Sequence, residues 1–122
     1  MTDSTSSIDY KKLGFNYVKT KCFVMYKWSD GKWDSGKICN NTNISIHIMS
    51  GILHYGQSLF EGLKAFRSKN GDILVCNSNA SAERMQFGCR RILMPEVSTK
   101  MFNNAIDKTL LNNLDFFPQY DS

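Results

Sequence analysis

Between Leu53 and Arg67 the chain reads LHYGQSLFEGLKAFR, and the last five of these residues begin the pattern that decides the fold. Leu63 to Arg67 lead into Ser-Lys-Asn-Gly-Asp, and the apolar run Ile73 to Cys76 follows. Asn70-Gly71 readily takes the positive φ angles of a tight hairpin turn, so the two runs are expected to pair antiparallel. Further on, Asn79 is placed to cap a helix running to about Met94, where Pro95 stops it. Ala82, Met85, Cys89, Ile92 and Leu93 fall on one stripe of that helix, with Arg84 and Arg91 off it. A second helix is expected from about Ser98 to Asn113, burying Phe102, Ala105, Ile106, Leu110 and Leu114. Both stripes are core faces and carry no chemistry of their own.

Upstream, CFVMYKW (Cys22 to Trp28) is β-branched and aromatic, which reads as a strand. WSDGKWDSG follows, with Asp30-Gly31 as a second tight turn and a return strand from Trp33 to Cys39. Ile44, Ile46 and Ile48 alternate with Ser45 and His47, the period of a half-buried strand, which puts His47 on the solvent face. Strands first and helices later give an α+β domain with a mostly antiparallel sheet and two main helices. Residues 1–12, MTDSTSSIDYKK, read as a flexible terminus, and residues 13–122 as one domain.

The chain is 122 residues long, 42% apolar and 21% charged, which suits one globular core and excludes a disordered or fibrous chain. The longest unbroken apolar run, Cys22 to Tyr26, is five residues, too short for a membrane span. The charge of +4 is spread along the sequence, so a nucleic-acid face has nothing but net charge to support it. The opening residues have neither the apolar core of a secretory signal nor the Arg-rich character of a transit peptide, which reads as a cytoplasmic protein. Cys22, Cys39, Cys76 and Cys89 form no C-x-x-C pair and are read as reduced, partly buried thiols. His47 and His54 lack ligand spacing to them, so no metal site is expected.

No G-x-S-x-G, phosphate loop or paired carboxylate with a neighbouring base stands in the sequence. Leu53 to Arg67 nevertheless combine turn residues, two aromatics and an acid in a way that local patterning does not require. This stretch resembles the branched-chain aminotransferases, pyridoxal-phosphate enzymes of fold type IV. NASAERMQFGCRRILMPEV (Asn79 to Val97) follows at the family spacing, WSDGKWDSG resembles the family's early hairpin, and the likeness runs from about Phe15 to Tyr120. The related D-amino-acid aminotransferases and aminodeoxychorismate lyases are less similar in the central loop. The resemblance implies the family's small N-terminal domain, and a parent reaction that moves an amino group from Leu, Ile or Val to 2-oxoglutarate. It makes Arg84 the arginine that binds the cofactor phosphate, and Tyr55 and Phe60 walls of the substrate pocket. Phe15 is a third wall residue through a looser alignment. Glu61, Gly62 and His54 are given structural roles in shaping the loop.

Two departures qualify the resemblance. The family has an X-Pro step before the Arg84 helix, where this chain reads Val75-Cys76-Asn77-Ser78. At Phe117-Pro118-Gln119-Tyr120 the family's chain approaches a second, larger domain that carries the cofactor-bearing lysine and most of the phosphate cup. With the sequence ending at Ser122, that domain is read as absent, no catalytic residue is assigned, and the chain alone is expected to be inactive and not to hold the cofactor stably. Lys64, nearest the pocket motif, is expected to face solvent. The alternative reading is a non-catalytic dimerisation or regulatory module, whose partner is another copy or a full-length aminotransferase subunit.

Overall fold

The computed structural model of the chain describes residues 8–120. Residues 1–7 of the segment read as a flexible terminus lie outside the described residues; Tyr10–Lys12 form a 3-10 turn, and the Tyr10 hydroxyl donates to Phe116 O at 3.0 Å. Six short strands and three α-helices follow, strands β1 (Phe23–Met25), β2 (Trp28–Ser29), β3 (Lys32–Trp33) and β4 (Lys37–Cys39) coming first. Helix α1 (Gly51–Tyr55), β5 (Ala65–Arg67), β6 (Ile73–Val75), α2 (Ser78–Arg91) and α3 (Thr99–Leu111) complete the order. All pairing is antiparallel, in three two-stranded ladders: β1 with β4, β2 with β3, and β5 with β6. The architecture is α+β, as expected, although its strands form three ladders in place of one continuous sheet.

Both hairpins reverse where the dipeptides stand, the first with positive φ at both residues and the second at Gly71 alone. Asp30 and Gly31 take φ of 51° and 79°, and the ladder closes with Trp28 opposite Trp33. Those indoles meet edge to face, centroids 5.4 Å apart, a cross-strand pair that stabilises a ribbon too short to stand alone. Between this tip and the β1–β4 ladder, Asp34 bridges the gap: its Oδ1 accepts the N–H groups of Lys27 and Gly36, both at 3.0 Å. In the second hairpin Gly71 has φ +87°, and Ala65, Phe66 and Arg67 face Val75, Leu74 and Ile73.

Helix α2 starts one residue earlier than its expected cap. Asn77, in the left-handed region at φ 47°, is the N-cap, and Asn79 lies inside the first turn, where its Oδ1 accepts from Asn103 Nδ2 on α3 at 3.1 Å. The helix ends at Arg91, not Met94, because Leu93 turns left-handed at φ 56° and the Met94 N–H returns to Cys89 O at 2.9 Å. That reversal throws Leu93 out to solvent, so it leaves the buried stripe that keeps Ala82 and Cys89. Ser98 caps α3 with its hydroxyl, which accepts the Met101 N–H at 3.1 Å. α3 ends at Leu111, so Leu114 loses the helical phase that would have buried it and is exposed. α2 packs on α3, and α3 on β1.

The expected strand at Ile44, Ile46 and Ile48 does not form. Residues 40–47 have no regular structure, and the three isoleucines are exposed. Alternation specifies a face, but a strand also needs its backbone groups paired along a neighbour, and this segment joins none of the three ladders. His47 is at the surface as expected, its Nδ1 accepting the Met49 N–H at 3.1 Å.

Candidate functional site

Arg84 stands on the outer face of α2 and reaches back to the segment after α1. Its Nε donates to Glu61 Oε2 at 2.8 Å, and its Nη2 donates to Glu61 Oε1, a side-by-side pairing of guanidinium and carboxylate. Burial is unequal: the Glu61 side chain is 7% exposed and that of Arg84 is 70% exposed. The Arg84 hydrogen bond holds the Glu61 carboxyl below its usual range against the opposing cost of desolvation, with smaller help from the Gly62 N–H and the Ser81 hydroxyl. Glu61 in turn pushes the Arg84 guanidinium further up, so Arg84 stays charged.

A guanidinium has five N–H donors. Glu61 occupies two, leaving the rest of the fork in solvent with no partner among the described residues. That remaining edge fits an anion such as a phosphate, as a single contact.

The three aromatic residues are placed differently from a closed pocket. Tyr55 ends α1, Phe60 lies in the stretch between α1 and β5, and Phe15 precedes β1; they are 89%, 90% and 110% exposed. Rings this exposed cannot wall an enclosed cavity within these residues. His54 shapes the loop before it, donating from Nε2 to Ile48 O at 2.6 Å. Gly56, left-handed at φ 60°, stops α1 and turns the chain toward α2. Lys64 is exposed. Two clefts lie elsewhere, one of ≈ 530 Å³ beside Tyr17, Phe23 and Ile44, the other of ≈ 650 Å³ beside Met25, Ile38 and Ile46. Among the described residues no group of three or more His, Cys, Asp or Glu is placed to hold a metal ion. No helix among them is long and apolar enough to cross a membrane.

The pairing of Glu61 with Arg84, and the contacts of Gln57 and Leu59 beside it, were not visible in either segment alone. The signal that finds them is a match of periods: Gln57, Leu59 and Glu61 two apart, Arg84, Gly88 and Ile92 four apart.

No protein-family profile matches the chain. Among curated proteins it is 44% identical over 115 residues to a branched-chain-amino-acid aminotransferase of Haemophilus influenzae, covering 94% of this chain and 34% of that protein. It is 36% identical over 116 residues to the protein of the same name from Helicobacter pylori, and 35% identical over 117 residues to the chloroplastic branched-chain-amino-acid aminotransferase 2 of Arabidopsis thaliana. The chain spans about a third of the length of these curated relatives. Homology therefore runs along nearly the whole chain and along a minor part of each relative.

Proposed function

We propose that this chain, homologous over nearly its whole length to branched-chain-amino-acid aminotransferases, forms the small N-terminal domain of such an enzyme. The parent reaction moves the amino group of Leu, Ile or Val to 2-oxoglutarate. The observation that carries this reading is the Arg84 guanidinium, fixed on one edge by Glu61 and open on the other, within a chain 44% identical to such an enzyme. When bound, pyridoxal phosphate supplies an electron sink for the substrate's α-carbon. Arg84 holds its phosphate with a permanent charge and forked donors. Tyr55, Phe60 and Phe15 form one side of an aliphatic pocket that becomes dry when covered from outside these residues.

A single exposed charge pair contributes only about 0–1 kcal/mol, so Arg84 alone does not hold the cofactor stably. None of the eleven lysines stands in the family position for the proton shuttle between substrate and cofactor. The 122-residue chain by itself is therefore expected to have no appreciable turnover. Mixing it with the separately expressed remainder of the Haemophilus influenzae relative is the decisive test. Leucine transamination that depends on both pieces, and falls with Arg84→Ala, is expected; a well-folded mixture without activity would sink the proposal.

A second reading has its own observation. Ile44, Ile46, Ile48, Met49, Ile52 and Leu53 are all exposed within ten residues, a concentration of exposed apolar side chains of the kind that marks interaction surfaces. This favours a partner surface, taken by a second copy or by a full-length aminotransferase subunit, in the cytoplasm. Sedimentation showing a clean monomer at high concentration, together with failure to co-purify with a full-length relative, would remove it.

A further inference from the structure

From Leu59 to Arg67 the chain alternates strictly between half-buried and exposed residues, the signature of one extended segment that continues into β5. Its leading end lies along α2 and runs opposite to it. Gln57 Nε2 donates to Ile92 O at 2.9 Å, and Glu61 pairs with Arg84. Between them Leu59 presses on Gly88, where an added Cβ would stand 2.6 Å from Leu59 Cδ1. Two residues of extended chain advance about 6.6 Å, and four residues of helix about 6.0 Å, so successive contacts stay in step. Residues between the contacts must point away, and Phe60 does, at 90% exposed.

We propose that Leu59 and Gly88 act as a register lock, seating Glu61 opposite Arg84 and turning Phe60 away from the helix. A slip of one residue would exchange the two faces of the segment, putting Phe60 on α2 and Glu61 in solvent. Polar contacts at Gln57 and Glu61 tolerate small displacements because their side chains are long. The contact at Gly88 is closer, because a Cβ there would make the Leu59 methyls shift, and the short leucine side chain has less reach with which to follow a displaced partner. Leu59, Gly88 and Glu61 are thus positioning residues. Their functional consequence rests on the reading of Arg84 as an anion-binding group: a guanidinium held on one edge presents its other edge in a fixed direction, so less ordering is left to the moment of binding.

The test uses the whole chain, with the Arg84 Nε–H resonance assigned by its loss in Arg84→Lys. Gly88→Ala adds the clashing Cβ, and Leu59→Ala removes the group it would strike. Each single variant is expected to speed hydrogen exchange at Arg84 Nε on the order of tenfold. The double variant, in which the methyl gained at 88 replaces bulk lost at 59, is expected to return it to within about threefold. A general loss of stability would accumulate across the two changes. If Gly88→Ala does not fold, Leu59→Ala decides alone, since it introduces no clash. Unchanged exchange in Leu59→Ala, or additive loss in the double variant, overturns the lock. A titration with inorganic phosphate on the same resonance separates the two ideas. A shift in the native chain is expected, and no shift would overturn the anion-binding reading of Arg84 while the exchange data still judge the lock.

Discussion

Asn113 satisfies both backbone polar groups of Cys22: its Oδ1 accepts the Cys22 N–H at 3.1 Å, and its Nδ2 donates to the Cys22 carbonyl at 3.0 Å. The same Nδ2 donates to Thr109 O at 2.8 Å. Both residues are buried, at 8% exposed each, so one amide ties the C-terminal end of α3 to the residue that opens β1. Asn113→Ala would leave the Cys22 N–H without a partner, at about 1–3 kcal/mol, while the Cys22 carbonyl keeps the Thr20 hydroxyl as a donor at 3.3 Å. A loss of about 2 kcal/mol is expected in urea unfolding, as a lower midpoint at unchanged slope. A loss below about 1 kcal/mol would mean that water reaches Cys22 and replaces the amide.

What was legible in the sequence follows the range of the interaction that decides each feature. The turn at Asp30-Gly31 is set by two residues and formed as expected, whereas at Asn70-Gly71 the hairpin formed but only Gly71 takes positive φ, because the loop there spans Ser68 to Asp72. The start of the second helix, expected at about Ser98, lies where the Ser98 hydroxyl caps it from three residues before its donor. The isoleucines at 44, 46 and 48 carry a strand's period, yet pairing needs an edge that local sequence cannot supply. The start of α2 shifted because the left-handed turn at Asn77 caps the helix while Asn79 is engaged by α3, a partner 24 residues away. At the candidate site, the resemblance implied an anion contact and an apolar wall. That Glu61 takes one edge of Arg84 depends on the register between two segments, which neither states on its own.

Two glycines with similar backbones should respond differently to alanine. Gly36 and Gly71 have φ of +80° and +87°, so both substitutions carry the strain of a left-handed residue, about 1–2 kcal/mol. At Gly71 the added Cβ meets open space, whereas at Gly36 it would lie 2.6 Å from Tyr26 Cζ. That ring is also held from another side, with Lys108 Nζ 5.4 Å from its centroid. Gly36→Ala is therefore expected to lose about 1–3 kcal/mol more than Gly71→Ala, read as the difference in their urea midpoints. Equal losses would show that Tyr26 moves aside freely.

Acid should weaken the contact between α2 and the Glu61 segment. In the folded chain the Arg84 hydrogen bond holds the Glu61 carboxyl below its ordinary value, so in acid the unfolded chain binds more protons there. The pair's contribution is complete above the unfolded carboxylate value of about 4.3, and is lost as pH falls through the lower folded value. Asp34, lowered by the N–H groups of Lys27 and Gly36, adds to stability in the same direction. Glu61→Gln is expected to lower the melting midpoint at neutral pH and to flatten its decline in acid, bringing the two curves together at the lowest pH. Parallel curves across the whole range would show that Glu61 ionisation is not coupled to folding.

The four thiols, read together from the sequence as reduced and partly buried, divide by burial in the structure. Cys76 is exposed and Cys39 half-buried, while Cys22 and Cys89 are buried, Cys89 with 1% of its surface accessible. Burial pushes the Cys89 thiol up, and the negative charge of Glu96 adds to the effect, so both access and thiolate fraction oppose its reaction. Iodoacetamide under native conditions should label Cys76 first and Cys39 next. Cys22 and Cys89 should react only at a rate that rises with urea in step with unfolding. Peptide mapping against time gives each rate separately. If Cys89 reacted as fast as Cys76 in the native chain, α2 would have to open locally at little cost, and the fixed geometry of Gly88 and Arg84 on that helix would go with it.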